Sequence, residues 1–272
     1  MVKTGQVTTR WQGWRDSDLP VGQIVPDIIE ALAANRPTIL EAPPGSGKTT
    51  LVPLALLGSP WLQGRRIVML EPRRLAARAA ARRMAQLLGE AVGERVGYHV
   101  RLEQRVSAVT EIEIVTEGML VQRLLGDPEL SKTGLVIFDE FHERALAADQ
   151  ALAMTLDVKR ALRPDLRLLV MSATINSAEV AEWLADTAAD VNEQPYVAKA
   201  EGQLWPVETV LQARSSAAPL PRQAAEAVVR ALGETSGSIL VFLPGEGEIR
   251  RTAELLAEIG VPRNVEVLPL YA

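Results

Sequence analysis

The chain has 272 residues, of which 47% are hydrophobic, 23% are charged and none is cysteine. This composition excludes a disordered chain, disulfide bonds and cysteine-ligated metal sites, and a formal net charge of −5 excludes a uniformly basic surface. Neither a signal peptide nor an apolar run of about 18 residues is visible, so we expect a cytoplasmic protein without a membrane segment.

Short apolar runs alternate with longer segments of helical spacing, which predicts a parallel α/β sheet flanked by helices. The predicted strands are 38–41, 66–70, 111–115, 135–138 and 166–171. The predicted helices are 49–57, 73–88, 119–125, 146–162 and 178–186. Several strands are apolar throughout, which is typical of strands buried on both faces.

The same alternation restarts near residue 205, which predicts a second α/β domain after a boundary at 198–203. Its predicted strands lie near 207–211, 238–243 and 265–268, and its predicted helices are 222–232 and 247–259. Because the chain stops at Ala272, before a doubly wound sheet would be complete, we expect this second domain to be partial.

A phosphate-binding loop is predicted where a strand meets a helix, in the run Gly45-Ser46-Gly47-Lys48-Thr49-Thr50. In such a loop the backbone N–H groups cradle phosphate, Lys48 reaches the β- and γ-phosphates, and the Thr49 hydroxyl binds Mg²⁺. Ala42 stands where the strict pattern has glycine. The alternative is an ordinary glycine-rich turn, but strand, loop, lysine and helix all agree with the functional interpretation.

Two carboxylates, Asp139 and Glu140, follow the apolar strand 135–138. Ligands of parallel sheets bind beyond the carboxyl ends of the strands, so Asp139 is expected to hold Mg²⁺ and Glu140 to polarise the attacking water. An isolated acidic pair is more often a solvated loop. Its combination with Lys48 favours the catalytic interpretation.

Five segments narrow the class further. Asp139-Glu140-Phe141-His142 resembles a DEAH box with Phe in place of Ala, and Ser172-Ala173-Thr174 resembles the motif that couples hydrolysis to strand movement. With the segments 71–78, 115–118 and 242–245, the chain resembles the DEAH/RHA family of superfamily 2 ATP-dependent helicases over residues 22–272.

The resemblance implies a P-loop NTPase with RecA-like lobes. We expect an N-terminal extension at 1–21, a first RecA-like domain at 22–200 and a partial second RecA-like domain at 201–272. Motifs V and VI, which supply arginines to the nucleotide site in this family, are not found, so the chain is expected to be truncated before them. An arginine finger contributes roughly 10³ to 10⁵ in rate, so weak turnover is expected.

The resemblance also implies roles for single residues. Lys48, Asp139, Glu140 and His142 are catalytic, and Thr49 and Asp139 bind the metal. Residues Gly45 to Thr50 and Arg83 contact the nucleotide. Ser172 and Thr174 couple hydrolysis to strand movement. Arg73, Arg74 and Thr116 contact nucleic acid. Simpler roles remain open, since arginines on a helix are often solvated, and Thr116, Ser172 and Thr174 are suited to helix capping.

The sequence therefore predicts an ATP- and Mg²⁺-dependent helicase acting on single-stranded nucleic acid, with RNA ranked ahead of DNA. A nucleotide-gated binding module that never unwinds a duplex is the alternative. A small-molecule P-loop kinase would explain Lys48 and Asp139 but not Arg73, Arg74 or the second domain. The oligomeric state stays open.

Overall fold

The computed structural model describes residues 11–173, 177–186, 194–201, 206–211 and 218–271. The chain divides into two compact units, Met1–Leu204 and Trp205–Ala272.

The first unit is built on one eight-stranded sheet. Its strands are β1 Thr38–Glu41, β2 Arg66–Leu70, β3 Val96–Val100, β4 Glu103–Arg105, β5 Ile112–Val115, β6 Thr133–Phe138, β7 Arg167–Ser172 and β8 Tyr196–Lys199. They lie in the order β4-β3-β5-β2-β6-β7-β1-β8. All neighbouring pairs are parallel except β3 and β4, which are antiparallel.

Helices connect the strands. They are α1 Val25–Ala33, α2 Lys48–Ala55, α3 Arg74–Leu88, α4 Glu117–Gly126, α5 Leu146–Ala161 and α6 Ser177–Asp186 in the first unit, with α7 Leu220–Glu234 and α8 Glu246–Ile259 in the second. No helix in the described part of the chain is long and apolar enough to cross a membrane.

Both faces of the sheet are buried, and β2 shows why. Ile67 and Met69 belong to a hydrophobic cluster shared with α1, α2 and α3, whereas Val68 belongs to a cluster shared with α4, α5 and α6. Side chains of a strand alternate between its two faces, so a strand between two helical layers favours apolar residues at successive positions. All six residues of β6 are buried in this way.

The predicted parallel α/β fold is confirmed. All five strands predicted in the first domain form within two residues of their predicted ends, and so do its five predicted helices. Sequence analysis did not predict α1, β3, β4 or β8.

The second unit contains a pair of helices, α7 and α8, packed through a small cluster of Ala225, Val228 and Leu256. The three strands predicted there do not form among the described residues, so these predictions were wrong. A strand exists only where a neighbouring strand takes up its backbone hydrogen bonds, and here the side chains of Leu240 and Phe242 are 69% and 86% exposed.

Part of the predicted N-terminal extension packs with the first unit. The side chain of Trp14 is 8% exposed, Val21 is fully buried, and both belong to the cluster that contains α1, α2 and α3. The backbone N–H of Val21 donates to the carbonyl of Ser46 over 3.3 Å. Residues from Trp11 onward therefore contribute to the core, whereas residues 1–10 lie outside the described part.

We predict that Trp14→Ala lowers the free energy of unfolding by about 3 kcal/mol, because truncating a buried tryptophan leaves a cavity. Urea unfolding measures the change. Trp183→Ala is the matched control, since Trp183 is 42% exposed, and it should cost less than about 1 kcal/mol. A loss for Trp14→Ala as small as that expected for Trp183→Ala would show that the segment around Trp14 does not contribute to the core.

Candidate active site

The predicted site residues follow neighbouring parallel strands, so they lie along one edge of the sheet. Thr116 follows β5, Arg73 lies three residues after β2, Asp139 follows β6, and Ser172 ends β7. The loop that contains Lys48 follows β1, which pairs with β7. The carboxyl ends of parallel strands meet at one edge, and this shared edge brings together residues far apart in the sequence.

Two glycines give the loop before α2 its shape. Gly45 has φ +77° and Gly47 has φ +95°, a region that residues with a side chain rarely adopt. A Cβ on Gly47 would also approach Leu19 Cδ1 to 2.9 Å. Lys48 then begins α2, so the loop leads into a helix N-terminus, where free N–H groups and the helix dipole favour an anion.

Ala42, the departure from the strict loop pattern, fits without strain. It is 1% exposed and does not have a positive φ, so the position does not require glycine. Its N–H donates to the carbonyl of Ser172 over 2.9 Å. This hydrogen bond joins the start of the loop to the end of β7.

Lys48, Glu140 and His142 form a chain of polar contacts. Lys48 is 4% exposed, and its Nζ lies 3.0 Å from Glu140 Oε1. The other carboxylate oxygen of Glu140 lies 3.3 Å from His142 Nδ1. Glu140 itself has φ +50°, a conformation that costs a non-glycine residue about 1 kcal/mol or more and persists only when the surrounding structure holds it.

Asp139 is 1% exposed, and its N–H donates to the Leu70 carbonyl of β2 over 3.0 Å. Burial is the main reason that the pKa of Asp139 rises to about 6, and the charge of Glu140 adds to it. A hydrogen bond from the Thr49 hydroxyl and the charge of Lys48 act in the opposite direction. The side-chain contacts thus bring Asp139, Thr49, Lys48 and Glu140 together.

Two buried oxygens at this point have no hydrogen-bond partner, Oδ2 of Asp139 and Oγ of Ser46. A buried polar atom normally has one, so both oxygens are available to a ligand at this point. Carboxylate and hydroxyl oxygens are the donors that Mg²⁺ prefers. The pairing of Asp139 with Thr49 therefore fits a magnesium site, in which a bound cation would favour the ionised form of Asp139.

Glu71, a second buried acid, was not singled out from the sequence. It follows β2, is 3% exposed, and donates its N–H to the carbonyl of Val115 over 2.9 Å. The pKa of Glu71 is raised to about 8, mainly by burial and also by the charges of Asp139, Glu140 and Glu143. The available signals were its position directly after an apolar strand and at the start of the segment 71–78, but neither indicated a separate role for it.

The predicted nucleic-acid residues occupy the adjoining stretch of the edge. Arg73 and Arg74 are both exposed, and the guanidinium of Arg73 pairs with Glu143. Thr116 lies at the N-cap position of α4 but its side chain makes no capping hydrogen bond. Its hydroxyl is therefore not used in the simpler capping role.

The remaining predicted residues are less closely tied to the site. Thr50 is in the first turn of α2, whereas Arg83 is exposed and lies nine residues beyond the start of α3, about 14 Å along the helix. Ser172 is fully buried at the end of β7. Thr174 lies outside the described residues. Base stacking by Arg83 and coupling by Ser172 and Thr174 stay predictions.

Comparison with known families gives a match to the DEAD/DEAH box helicase model over residues 23–183. The chain is 45% identical over 255 residues to the ATP-dependent RNA helicase HrpB of Escherichia coli strain K12, covering 94% of this chain and 30% of that protein. It is 33% identical over 278 residues to the pre-mRNA-splicing factor ATP-dependent RNA helicase prp22 of Schizosaccharomyces pombe, covering 100% of this chain and 23% of that protein.

The structure is also similar to a crystal structure of the E. coli DEAH/RHA helicase HrpB. The TM-score is 0.81 at 43% sequence identity, with 90% of this chain and 30% of the crystallised chain covered. The chain thus spans less than a third of the length of these relatives.

Glu71→Gln tests the buried acid. Because its pKa of about 8 in the folded chain lies above the ordinary value of 4.5, its contribution to stability is complete below pH 4.5 and is lost as the pH rises through 8. As the pH rises from 5 to 8, the free energy of unfolding should fall by about 3 kcal/mol less in Glu71→Gln than in the original chain, at about 1.4 kcal/mol per pKa unit.

Urea unfolding at both pH values, without nucleotide or divalent cation, measures this difference. Exposed Glu129 provides the control, and Glu129→Gln should leave the pH dependence unchanged. The same pH dependence for Glu71→Gln and the original chain would mean that Glu71 ionises normally in the fold.

Proposed function

Because the chain belongs to the DEAD/DEAH box helicase family, we propose that its first unit binds and hydrolyses Mg²⁺-ATP and that hydrolysis drives movement along single-stranded RNA. The observation that supports this is the meeting of Lys48, Thr49, Asp139 and Glu140 at one point of the sheet edge. Two of these residues lie in the first turn of α2, just after the loop that follows β1, and the other two directly follow β6.

Phosphate binding would begin with an exchange of partners at Lys48. Its ammonium group lies 3.0 Å from Glu140, and Lys48 directly follows the loop glycine Gly47. Triphosphate oxygens in the loop would compete for that ammonium group and draw it away from Glu140. The exchange frees a carboxylate at the moment when a nucleotide is present, so binding itself prepares the base.

Thr49 and Asp139 would hold magnesium through the hydroxyl oxygen and the buried carboxylate oxygen that has no partner. When bound, Mg²⁺ supplies positive charge that neutralises the phosphate oxygens. Because Asp139 is buried, its ionised form is costly without a cation beside it, and this favours binding of a metal ion there.

Glu140 would act as the base. It orients a water towards the γ-phosphorus and takes its proton as the new P–O bond forms and the bond to the bridging oxygen breaks. His142 lies beside that carboxylate, with Nδ1 3.3 Å from Glu140 and without a hydrogen-bond partner among the described residues, so this nitrogen is available to a ligand at the same point. Ser172, and Thr174 with it, would pass the change on to the bound strand.

The strand would lie along the edge formed by Arg73, Arg74 and Thr116. Their guanidinium and hydroxyl groups suit phosphate oxygens, which carry no base information. RNA is proposed because the relatives are named as RNA helicases. A cytoplasmic location is proposed with it, since the absence of cysteine fits a reducing compartment.

Binding of a fluorescent ATP analogue, with turnover measured with and without single-stranded RNA, tests the function. Lys48→Ala should weaken Mg²⁺-dependent binding at least about ten-fold, because a buried phosphate ligand is lost. Glu140→Gln should bind within about three-fold of the original chain but lose about 10² or more in turnover.

Lys132→Ala, which changes an exposed lysine, is the control and should alter neither quantity. Unchanged binding by Lys48→Ala would show that the loop is only a turn and would refute the proposal. Tight binding of nucleotide and RNA with no RNA-stimulated turnover would instead favour a nucleotide-gated binding module.

A further inference from the structure

One ion pair joins the proposed strand-binding residues to the catalytic segment. Arg73 lies just after β2 and Glu143 lies just after β6, 70 residues later in the chain, and their side chains pair directly. The strands β2 and β6 are neighbours, with Leu70 opposite Phe138. The pair therefore connects two segments that leave the same edge side by side.

Glu143 closes the short turn that contains the catalytic residues. This 3₁₀ helix, Phe141–Glu143, lies between two residues with positive φ, Glu140 at +50° and Arg144 at +49°. Non-glycine residues keep such conformations only when their surroundings hold them. A contact at Glu143 thus bears on the conformation of Glu140 and His142.

The charges around Glu143 are mainly negative. Its carboxylate helps raise the pKa values of Glu71 and Glu117, and Glu71 also responds to Asp139 and Glu140. Arg73 is the cation in contact with Glu143. Drawing the guanidinium away would leave Glu143 facing like charges, so the turn is sensitive to where Arg73 is bound.

The ion pair between Arg73 and Glu143 is also weak enough for another anion to replace Glu143. The side chain of Arg73 is 71% exposed and that of Glu143 is 28% exposed. Exposed ion pairs shift equilibria by only a few-fold, so a nucleic-acid phosphate is a strong competitor for the same guanidinium.

We propose that Glu143 is a positioning residue that couples strand binding to catalysis by competing with a nucleic-acid phosphate for Arg73. The proposal rests on the function proposed above. When a strand takes Arg73, Glu143 is released and the turn that contains Glu140 and His142 can rearrange. Coupling between two sites is reciprocal. If strand binding changes the affinity for nucleotide through this turn, nucleotide binding must change the affinity for the strand by the same factor.

The test is the affinity of a fluorescent oligouridine for the chain, by anisotropy, with and without a non-hydrolysable Mg²⁺-ATP analogue. The ratio of the two affinities is the coupling factor. Glu143→Gln should bind the oligonucleotide about two- to five-fold more tightly without nucleotide, because Arg73 is no longer held, and its coupling factor should fall towards 1.

Glu103→Gln is the matched control. Glu103 pairs with Arg78, which lies on the same helix as Arg74, so this variant also removes a carboxylate from an arginine. It should leave the coupling factor unchanged. Glu143→Asp, which keeps the charge but shortens the reach, should lose coupling as Glu143→Gln does.

A double-mutant cycle completes the test. With Arg73→Ala already in place, Glu143→Gln should no longer change the affinity for the strand, and additive effects would overturn the proposal. So would an unchanged coupling factor in a Glu143→Gln variant that still binds nucleotide. If the original chain binds no oligonucleotide in any state, the proposed function fails and this inference fails with it.

Discussion

The constraint on which the rest of the structure depends is the common direction of the central strands. Because β1, β2, β5, β6 and β7 run parallel, each delivers the residues that follow it to the same edge of the sheet. Those strands are packed on both faces, so the proposed site residues are supplied by segments that follow well-packed elements.

The second organising feature is the pairing of acidic side chains with cations along this edge. The edge gathers four acidic side chains, of Glu71, Asp139, Glu140 and Glu143. Two cations contact this group, Lys48 and Arg73, and their side chains are also well suited to phosphate. In the free protein each cation neutralises an acid. A phosphate that binds Lys48 or Arg73 would therefore change the charge balance around the other cation. This gives a physical reason why one edge would serve both the proposed nucleotide and the proposed nucleic-acid strand.

Much of the fold was accessible from the sequence because its central strands are uniformly apolar. β1 and β2 were predicted to the residue, whereas β3 contains Gly97 and His99 and lacks a clear pattern. The strands predicted near Phe242 failed because pairing, which periodicity does not report, decides whether a strand forms. Lys48, Asp139 and Glu140 were found through local motifs, but the roles argued for Glu71 and Glu143 depend on contacts across strands that no local pattern encodes.

The position of β1 has a consequence for how the protein is made. Its neighbours in the sheet are β7 and β8, so Thr38 pairs with Leu169 and Tyr196, more than a hundred residues further along. During synthesis the strand that leads into the phosphate loop has no partner until most of the first unit has left the ribosome. Such long-range parallel pairing is slow. The loop after β1 is therefore translated before the strands that lie beside β1, and it is among the last parts of the first unit to acquire its shape.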